Sequence, residues 1–394
     1  MRKINANLAG VSCSVNGSLL RVDLNKTAKV LSSAVYNGGL TTTKTIVSFH
    51  VPKNFSRTTD GFIKTRLKEL NIDKDAVCLL TAAHMDSACV KTIHFDRSAV
   101  SAICTAGLSN SQCAGDPVAG YGNETAKARS RNHNGHSTIN LIIVLKGNAS
   151  DSCLANIITT ASEAKASAMR DLDIRSKSSG RLATGTSTDS TAVVSIPGRE
   201  KFEYAGTATA LGYHLASAVK ESITGSVAKQ DGLIKSRSLV KRLEERGILL
   251  EDLVTAAIRL VVNSPKGADG KQLRSNVKEA IIEASLDPNV SSLIIAALEL
   301  EDQGEIGLIP SLSQADYAKD PIYLVADEDI GEMIARYIAG TRGIHNFRIY
   351  DRHKPGIIGK LGPFLDDAMC GLVGGAMSKM YTQMEKRTQS RRQK

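Results

Sequence analysis

The chain has 394 residues, of which 42% are apolar and 23% charged, and a formal net charge of +10. That length suits two domains, each large enough for its own core, and the composition excludes disorder as the default state. The charge is dispersed except in the tail KRTQSRRQK, Trp is absent and aromatic residues are only 4%, so a nucleic-acid binder with stacking platforms is not expected, whereas small anionic substrates fit the balance.

The start, MRKINANLAGVSCSVNG, lacks the apolar stretch of a signal peptide, and no run approaches the roughly 18–20 apolar residues of a membrane helix. A cytoplasmic protein without membrane insertion is expected. Short β-branched stretches then predict strands at 45–51 (TIVSFHV), 76–83 (AVCLLTAA), 99–107 (AVSAICTAG), 138–145 (TINLIIVL) and 191–196 (TAVVSI). A helix is predicted over 152–172, with Ile158, Ala161, Ala168, Met169 and Leu172 on one face, and another over 208–223. These elements describe an α/β or α+β domain with an extensive sheet, over residues 1–232.

Polar residues and Gly232 interrupt the pattern at 226–238. Beyond them the text turns helical. Leu250, Leu253, Val254, Ala257, Ile258 and Val261 keep a helical period, as do Val277, Ala280, Ile281 and Ala284. Asp287-Pro288 marks a capped helix start, followed by the stripe Val290, Leu293, Ile294, Ala297 and Leu298. Ile330, Met333, Ile334, Tyr337 and Ile338 form another stripe. Strand patterns are nearly absent, so residues 236–394 are expected to be an all-α, multihelical domain. Seven cysteines without a CxxC pair read as reduced thiols rather than a disulfide framework or zinc ribbon.

Three carboxylate clusters mark the second half: Asp327-Glu328, Asp351 with Arg348 and Lys354 beside it, and Asp366-Asp367. The last pair lies in an apolar helical stretch between Leu365 and Met369. Unpaired buried charge is costly there, and a hard cation such as Mg²⁺ would relieve it. Gly371, Gly374 and Gly375 would let a second helix approach closely. Salt bridges to Arg336, Arg348, Arg352 and Lys354 are the structural alternative.

The first half holds no recognised triad. The loop TGTSTD gathers hydroxyls and backbone amides around a Gly hinge, with Asp189 able to orient or activate water. Lys165 falls on the apolar face of the first helix. Ser109, Asn110 and Asp116 form a second polar cluster after a strand. The structural alternatives are an Asx-type turn for the loop and a snorkelling lysine at the edge of the stripe. His133 and His136, in RNHNGH, resemble a metal pair only superficially.

Six blocks in order, LSSAVYNGG (31–39), LLTAAHM (79–85), TAGLSNSQCAGD (105–116), STINLIIV (137–144), EAKASAM (163–169) and LATGTSTDS (182–190), resemble the archaeal adenosylcobinamide amidohydrolase family over about residues 25–225. Ser137 stands where the family has Gly. The resemblance implies cleavage of the aminopropanol amide of adenosylcobinamide to give adenosylcobyric acid. Asp189, Lys165, Ser109 and Asp116 are the catalytic candidates, with no cofactor indicated.

Residues from about 238 to 381 resemble the phosphatidylglycerophosphatase A family. The resemblance rests on Asp327-Glu328 opening a helix, on Arg348, Asp351, Lys354 and Pro355 in sequence, and on Asp366, Asp367 and Gly371. It implies a Mg²⁺-dependent phosphomonoesterase on a multihelical fold. Asp327, Glu328, Asp351, Asp366 and Asp367 would hold the metal, and Arg348 and Lys354 the phosphate. Lipid-phosphatase members carry membrane segments that this text lacks. The second half looks closer to a soluble archaeal branch acting on α-ribazole-5′-phosphate. Together the halves imply a bifunctional cobamide-salvage hydrolase with small-molecule substrates, compatible with a homo-oligomer. A lipid phosphatase or a non-catalytic corrinoid-binding module are the alternatives.

Overall fold

The stretch 141–145 (LIIVL) is apolar without alternation, which is the mark of a strand covered on both faces. The computed structural model bears this out. It describes residues 1–55, 58–117, 137–261 and 270–392, which divide into two units, Met1–Ser236 and Arg237–Lys394.

The first unit runs β1 (Arg2–Ile4), β2 (Val11–Asn16), β3 (Leu19–Ser32), β4 (Gly39–His50), α1 (Thr59–Glu69), β5 (Val77–Thr81), β6 (Cys89–Phe95), β7 (Ser98–Ala106), β8 (Ser111–Gln112), β9 (Ile139–Ala149), α2 (Asp151–Asp171), β10 (Gly185–Thr186), β11 (Ser190–Phe202) and α3 (Ala210–Asp231). Nine strands make one sheet in the order β1-β2-β3-β11-β9-β7-β6, with β4 on β3 and β5 on β4. β4–β5 and β9–β11 are parallel, joined by crossovers that carry α1 and α2. The other ladders of this sheet are antiparallel.

Burial sorts these elements into layers. On β9, Ile139, Leu141, Ile143 and Leu145 share a core with β7, α2 and α3. The intervening Ile142 and Val144 share another with Val22, Val30, Ile46, Val77 and Leu79. α1 covers the outer side of β4 and β5 through Ile63 and Leu67. The sheet thus folds over itself between helices.

α2 buries Leu154, Ile157, Ala161, Ala164, Ala168 and Met169, and Leu172 follows them into the core; the face expected from sequence is thus buried except at Ile158, whose place Ile157 takes. Lys165 sits at the edge of that face. α3 runs eight residues beyond the expected end at 223. The Oγ of its buried Ser226 accepts from the Ala106 amide at 2.8 Å, tying the helix to the end of β7.

The second unit is helical: α4 (Leu239–Glu245), α5 (Leu250–Arg259), α6 (Gly270–Ser285), α7 (Pro288–Glu305), α8 (Gln314–Tyr317), α9 (Ala326–His353) and α10 (Pro363–Arg392). Asp287 caps α7 by accepting from the Asn289 amide, and Pro288 opens the helix. α9 is broken at Ala339 and at Gly340, where φ is +60°. α10 forms the buried centre, with Phe364, Ala368, Met369, Leu372, Val373 and Ala376 in one core with α5, α6, α7 and α9. At Gly371 a Cβ would collide with the Gly331 carbonyl, so glycine sets how closely α9 and α10 approach. Among the described residues no single helix is long and apolar enough to cross a membrane. α6 and α7 reach that composition only as a pair bent by 85°, and their apolar residues line the core.

All seven cysteines are unpaired; five are buried, and Cys89 and Cys113 are half-buried.

Candidate active sites

Three loops meet at one end of the first unit's sheet: the segment after β7, the residues before β9, and the loop before β11. β8 and β10 pair across two of them, Gly185 opposite Gln112 and Thr186 opposite Ser111. Asp189 is the hub. Its Oδ2 accepts from Lys165 Nζ at 2.5 Å and from the Thr186 amide at 3.0 Å. Its Oδ1 accepts from the Ile139 amide at 3.0 Å and from Thr186 Oγ1 at 2.5 Å. Both side chains are largely buried, at 18% and 11% exposure, so the pair is shielded from the screening that weakens surface ion pairs. A Cβ on Gly185 would strike Asp189 Oδ2, so this glycine lets the pair lie against the backbone.

Hydroxyls and an amide ring this pair. Asn110 Nδ2 donates to Ser187 Oγ at 2.7 Å, and Asn110 Oδ1 accepts from the Ser137 amide at 3.1 Å. Thr138 Oγ1 donates to the Thr188 carbonyl and Thr188 Oγ1 to the Ser137 carbonyl, which Thr186 Oγ1 approaches at 3.3 Å. Ser109 Oγ is buried with no hydrogen-bond partner among the described residues.

The structure therefore joins Lys165 of α2 to Asp189, and joins Asn110, next to Ser109, to the loop that carries Asp189. Asp116 has a separate set of partners. It is bound by Arg181 at 2.7 Å, by Ser176 Oγ and by the Cys113 amide at 3.0 Å. Burial works to raise its carboxyl, but Ser176, Ser179 and Arg181 hold it below the usual range. Asp116 ties the loop after β8 to the segment around 176–181. Thr138, Thr186 and Thr188 escaped the sequence reading as individuals, and Ser137 was read only as a departure from Gly; the signal for the others was the density of hydroxyls around Asp189. His133 and His136 lie outside the described residues.

In the second unit the break at Gly340 splits α9 in two. Its first part carries Asp327 and Glu328, and its second carries Arg348 and Asp351. Lys354 ends the helix in a left-handed conformation, φ +35°. α10 brings Asp366 and Asp367 in its first turns. Ligand oxygens of Asp327, Glu328 and Asp367 lie within 4.8 Å of one another. Asp351 borders Asp367. Asp366 Oδ2 accepts from Lys354 Nζ at 2.7 Å, and Lys354 also reaches Asp320 at 3.3 Å and Asp351 at 3.9 Å.

Burial, reinforced by neighbouring acids, pushes the carboxyls of Asp327 and Asp367 well above the usual range. Burial also raises Asp366, against the pull of Lys354. Burial works to lower the Lys354 ammonium, but Asp366 and the other acids hold it above its ordinary value.

The salt-bridge alternative covers only part of the cluster. Lys354 pairs with Asp366, but Arg336 and Arg348 both turn to Glu332, at 3.6 Å. Arg348 is thus 70% exposed and bonded outside the carboxylate group. Neither Asp327 nor Asp367 forms an ion pair with a basic side chain among the described residues. Asp366 Oδ1 and Asp367 Oδ1 are buried with no hydrogen-bond partner among the described residues. Buried orphan oxygens on converging carboxylates are the donor set that a hard divalent cation takes, so these residues fit Mg²⁺.

Two residues escaped sequence reasoning. Glu301, on α7, is 5% exposed; its Oε2 accepts from the Leu365 amide at 3.1 Å, at the start of α10. Burial pushes its carboxyl up to about 7. Asp320, in the loop after α8, is the second acid on Lys354. One acid in LELEDQGE and another in a loop carry no pattern that marks them.

A family model of adenosylcobinamide amidohydrolases matches residues 7–235. The chain belongs to the adenosylcobinamide amidohydrolase family. A second model, of phosphatidylglycerophosphatase A, matches residues 273–382, so the amidohydrolase unit is followed by a region of another hydrolase family. The adenosylcobinamide amidohydrolase of Halobacterium salinarum is 28% identical over 207 residues, covering 50% of this chain and 80% of that protein. An uncharacterized protein of Methanocaldococcus jannaschii is 42% identical over 130 residues, 32% of this chain and 98% of that protein. A second from the same organism is 35% identical over 174 residues, 42% of this chain and 68% of that protein.

Proposed function

We propose that the chain carries two hydrolytic sites of cobamide salvage. The first unit hydrolyses adenosylcobinamide to adenosylcobyric acid and aminopropanol. The second releases phosphate from α-ribazole-5′-phosphate with Mg²⁺.

The observation that carries the phosphatase is the meeting of Asp327, Glu328 and Asp367 within 4.8 Å beside the Lys354–Asp366 pair. Asp327, Glu328 and Asp367 would hold Mg²⁺, with Asp351 and Asp366 at its border. The ion supplies charge stabilisation for the phosphoryl oxygens. Lys354, anchored by Asp366 and Asp320, offers its ammonium to a phosphate oxygen as a point charge. Arg348 lies free to turn from its exposed pairing with Glu332 toward bound phosphate, where its fork would add a bidentate contact.

For the amidohydrolase, the Lys165–Asp189 pair supports the assignment of a reacting centre. Asp189 takes four hydrogen bonds, which suits a group that orients others better than one that abstracts a proton. Lys165 keeps ammonium protons beyond the one given to Asp189 and can stabilise the oxyanion formed as water adds to the amide carbonyl. The reaction puts hydroxide on the carbonyl carbon and a proton on the departing amine nitrogen. Ser109, with its unbonded hydroxyl, stands nearest in sequence to the Asn110 bridge and is the hydroxyl assigned to substrate.

One mass-spectrometric assay of the full chain tests both halves. With adenosylcobinamide, adenosylcobyric acid and aminopropanol are expected with or without EDTA. With α-ribazole-5′-phosphate, α-ribazole is expected with Mg²⁺ and not with EDTA. Phosphate release that survives EDTA would remove the metal centre. Preference for phosphatidylglycerophosphate in detergent would replace the substrate.

A further inference from the structure

A cavity of about 390 Å³ lies beside the carboxylate cluster, within the range of about 300–1,000 Å³ typical of small-molecule pockets. Glu305, Gln314, Tyr317, Asp320 and Lys360 line it, and so does Asp366. Asp366 therefore belongs to both places. Its Oδ2 anchors Lys354, the phosphate-binding lysine of the proposed reaction, and its Oδ1 is buried without a hydrogen-bond partner. We propose that this cavity is the subsite for the leaving group of the phosphomonoester, that it takes a hydroxyl-bearing, pentose-like group, and that Gln314 and Lys360 select it. The inference rests on the phosphatase reading of this unit and extends it to the non-phosphate part of the substrate.

The chemistry of the lining makes the choice. Acceptors dominate it, so the occupant must bring donors. Two of the carboxylates in the wall, those of Asp320 and Asp366, are already paired with a cationic side chain. Lys354 reaches both Asp366 and Asp320, and Glu301 accepts from the Leu365 amide. Lys360 adds a positive charge of its own to the wall. Neutral hydroxyls satisfy such a surface, and an acyl chain would leave its polar groups unpaired.

Gln314 is held ready for this task. Its Nε2 donates to the Glu305 carbonyl at 2.6 Å, which fixes the amide and leaves Oε1 to accept a hydroxyl. Lys360 can donate to a ring or hydroxyl oxygen. Gly362, also in the wall, has no room for a side chain, because a Cβ would overlap Glu301 Oε1. The wall at Gly362 is therefore bare backbone packed on the Glu301 carboxylate.

The test compares two phosphomonoesters on the full chain with Mg²⁺: ribose 5-phosphate, which carries the hydroxyls, and p-nitrophenyl phosphate, which lacks them. Gln314→Ala and Lys360→Ala should each lower the ratio of the two kcat/KM values, ribose 5-phosphate over p-nitrophenyl phosphate, by about 5- to 10-fold, the scale of one lost hydrogen bond. Melting temperatures of the variants identify any that fail to fold, and the second variant then carries the test. An unchanged ratio in folded variants overturns the subsite and leaves the phosphatase standing, as does an equal fall on both substrates. Faster turnover of phosphatidylglycerophosphate in detergent than of ribose 5-phosphate overturns it too. A wild-type chain inactive on every phosphomonoester defeats the phosphatase reading, and this inference with it.

Discussion

Asp367 carries two liabilities: it is 3% exposed, and Asp366 and Asp351 press like charge upon it. Such a residue lowers the stability of the fold unless something neutralises it. The sign of the pH effect follows. Carboxyls whose folded values are raised contribute stability that is full below their unfolded values near 4 and is lost as pH rises through the folded ones. Asp327, Glu301 and Asp367 are all raised, Glu301 to about 7. The second unit should therefore melt at a lower temperature at pH 8 than at pH 5.5 in EDTA. Mg²⁺ should restore it at pH 8, each kcal/mol being worth about 2–4 °C for a domain of this size. Asp367→Asn should flatten the pH dependence, shrink the Mg²⁺ effect and abolish phosphate release. Scanning calorimetry at the two pH values reads all three, and a metal-insensitive melt in both proteins would falsify the cation site.

Lys165 and Asp189 make a comparable pair in the first unit, but with opposite charges that offset one another. Removing one leaves the other buried and uncompensated. Lys165→Ala and Asp189→Asn should each reduce aminopropanol release by at least about 100-fold, the lower range for a group acting on the transition state. Phosphate release in the same protein should not change. Near-normal amide hydrolysis in folded variants would take both residues out of the site.

At the scale of elements, periodicity was readable where burial is simple. β9 showed itself as an unbroken apolar run because both its faces are covered. α7 showed its start because Asp287 and Pro288 cap it locally. β3 was not legible. Its fourteen residues, LLRVDLNKTAKVLS, include charged side chains exposed at Lys26 and Lys29, and its register on β4 shifts between Asp23 and Ala28. β1, β2 and β6 were hidden in the same way, by polar outer faces. α3 looked shorter than it is because Ser226 is buried in it beyond the expected end, and serine reads as solvent-facing until its partner is known. The sites split along the same line. Acids placed by a local motif, such as Asp366-Asp367, stood out in the text. Glu301 depends on the start of α10, sixty-four positions away, and no local pattern could announce it.

At the scale of the whole molecule, the unpaired cysteines have a use beyond packing. Four of the five buried thiols, at Cys13, Cys78, Cys104 and Cys153, belong to the first unit, and Cys370 alone belongs to the second. Burial raises every one of these thiols, so each reacts slowly until its surroundings open. The chain thus holds a chemical clock in each half. Pulse alkylation read by peptide mass should label Cys89 and Cys113 first, and the buried thiols at rates set by the opening of their own unit. Mg²⁺ should slow the labelling of Cys370, which follows Asp367 by one helical turn, and leave Cys104 and Cys153 at their former pace. If all five buried thiols respond to Mg²⁺ together, the two halves open as one body, and loss of metal from one site would expose the other to the same oxidative damage.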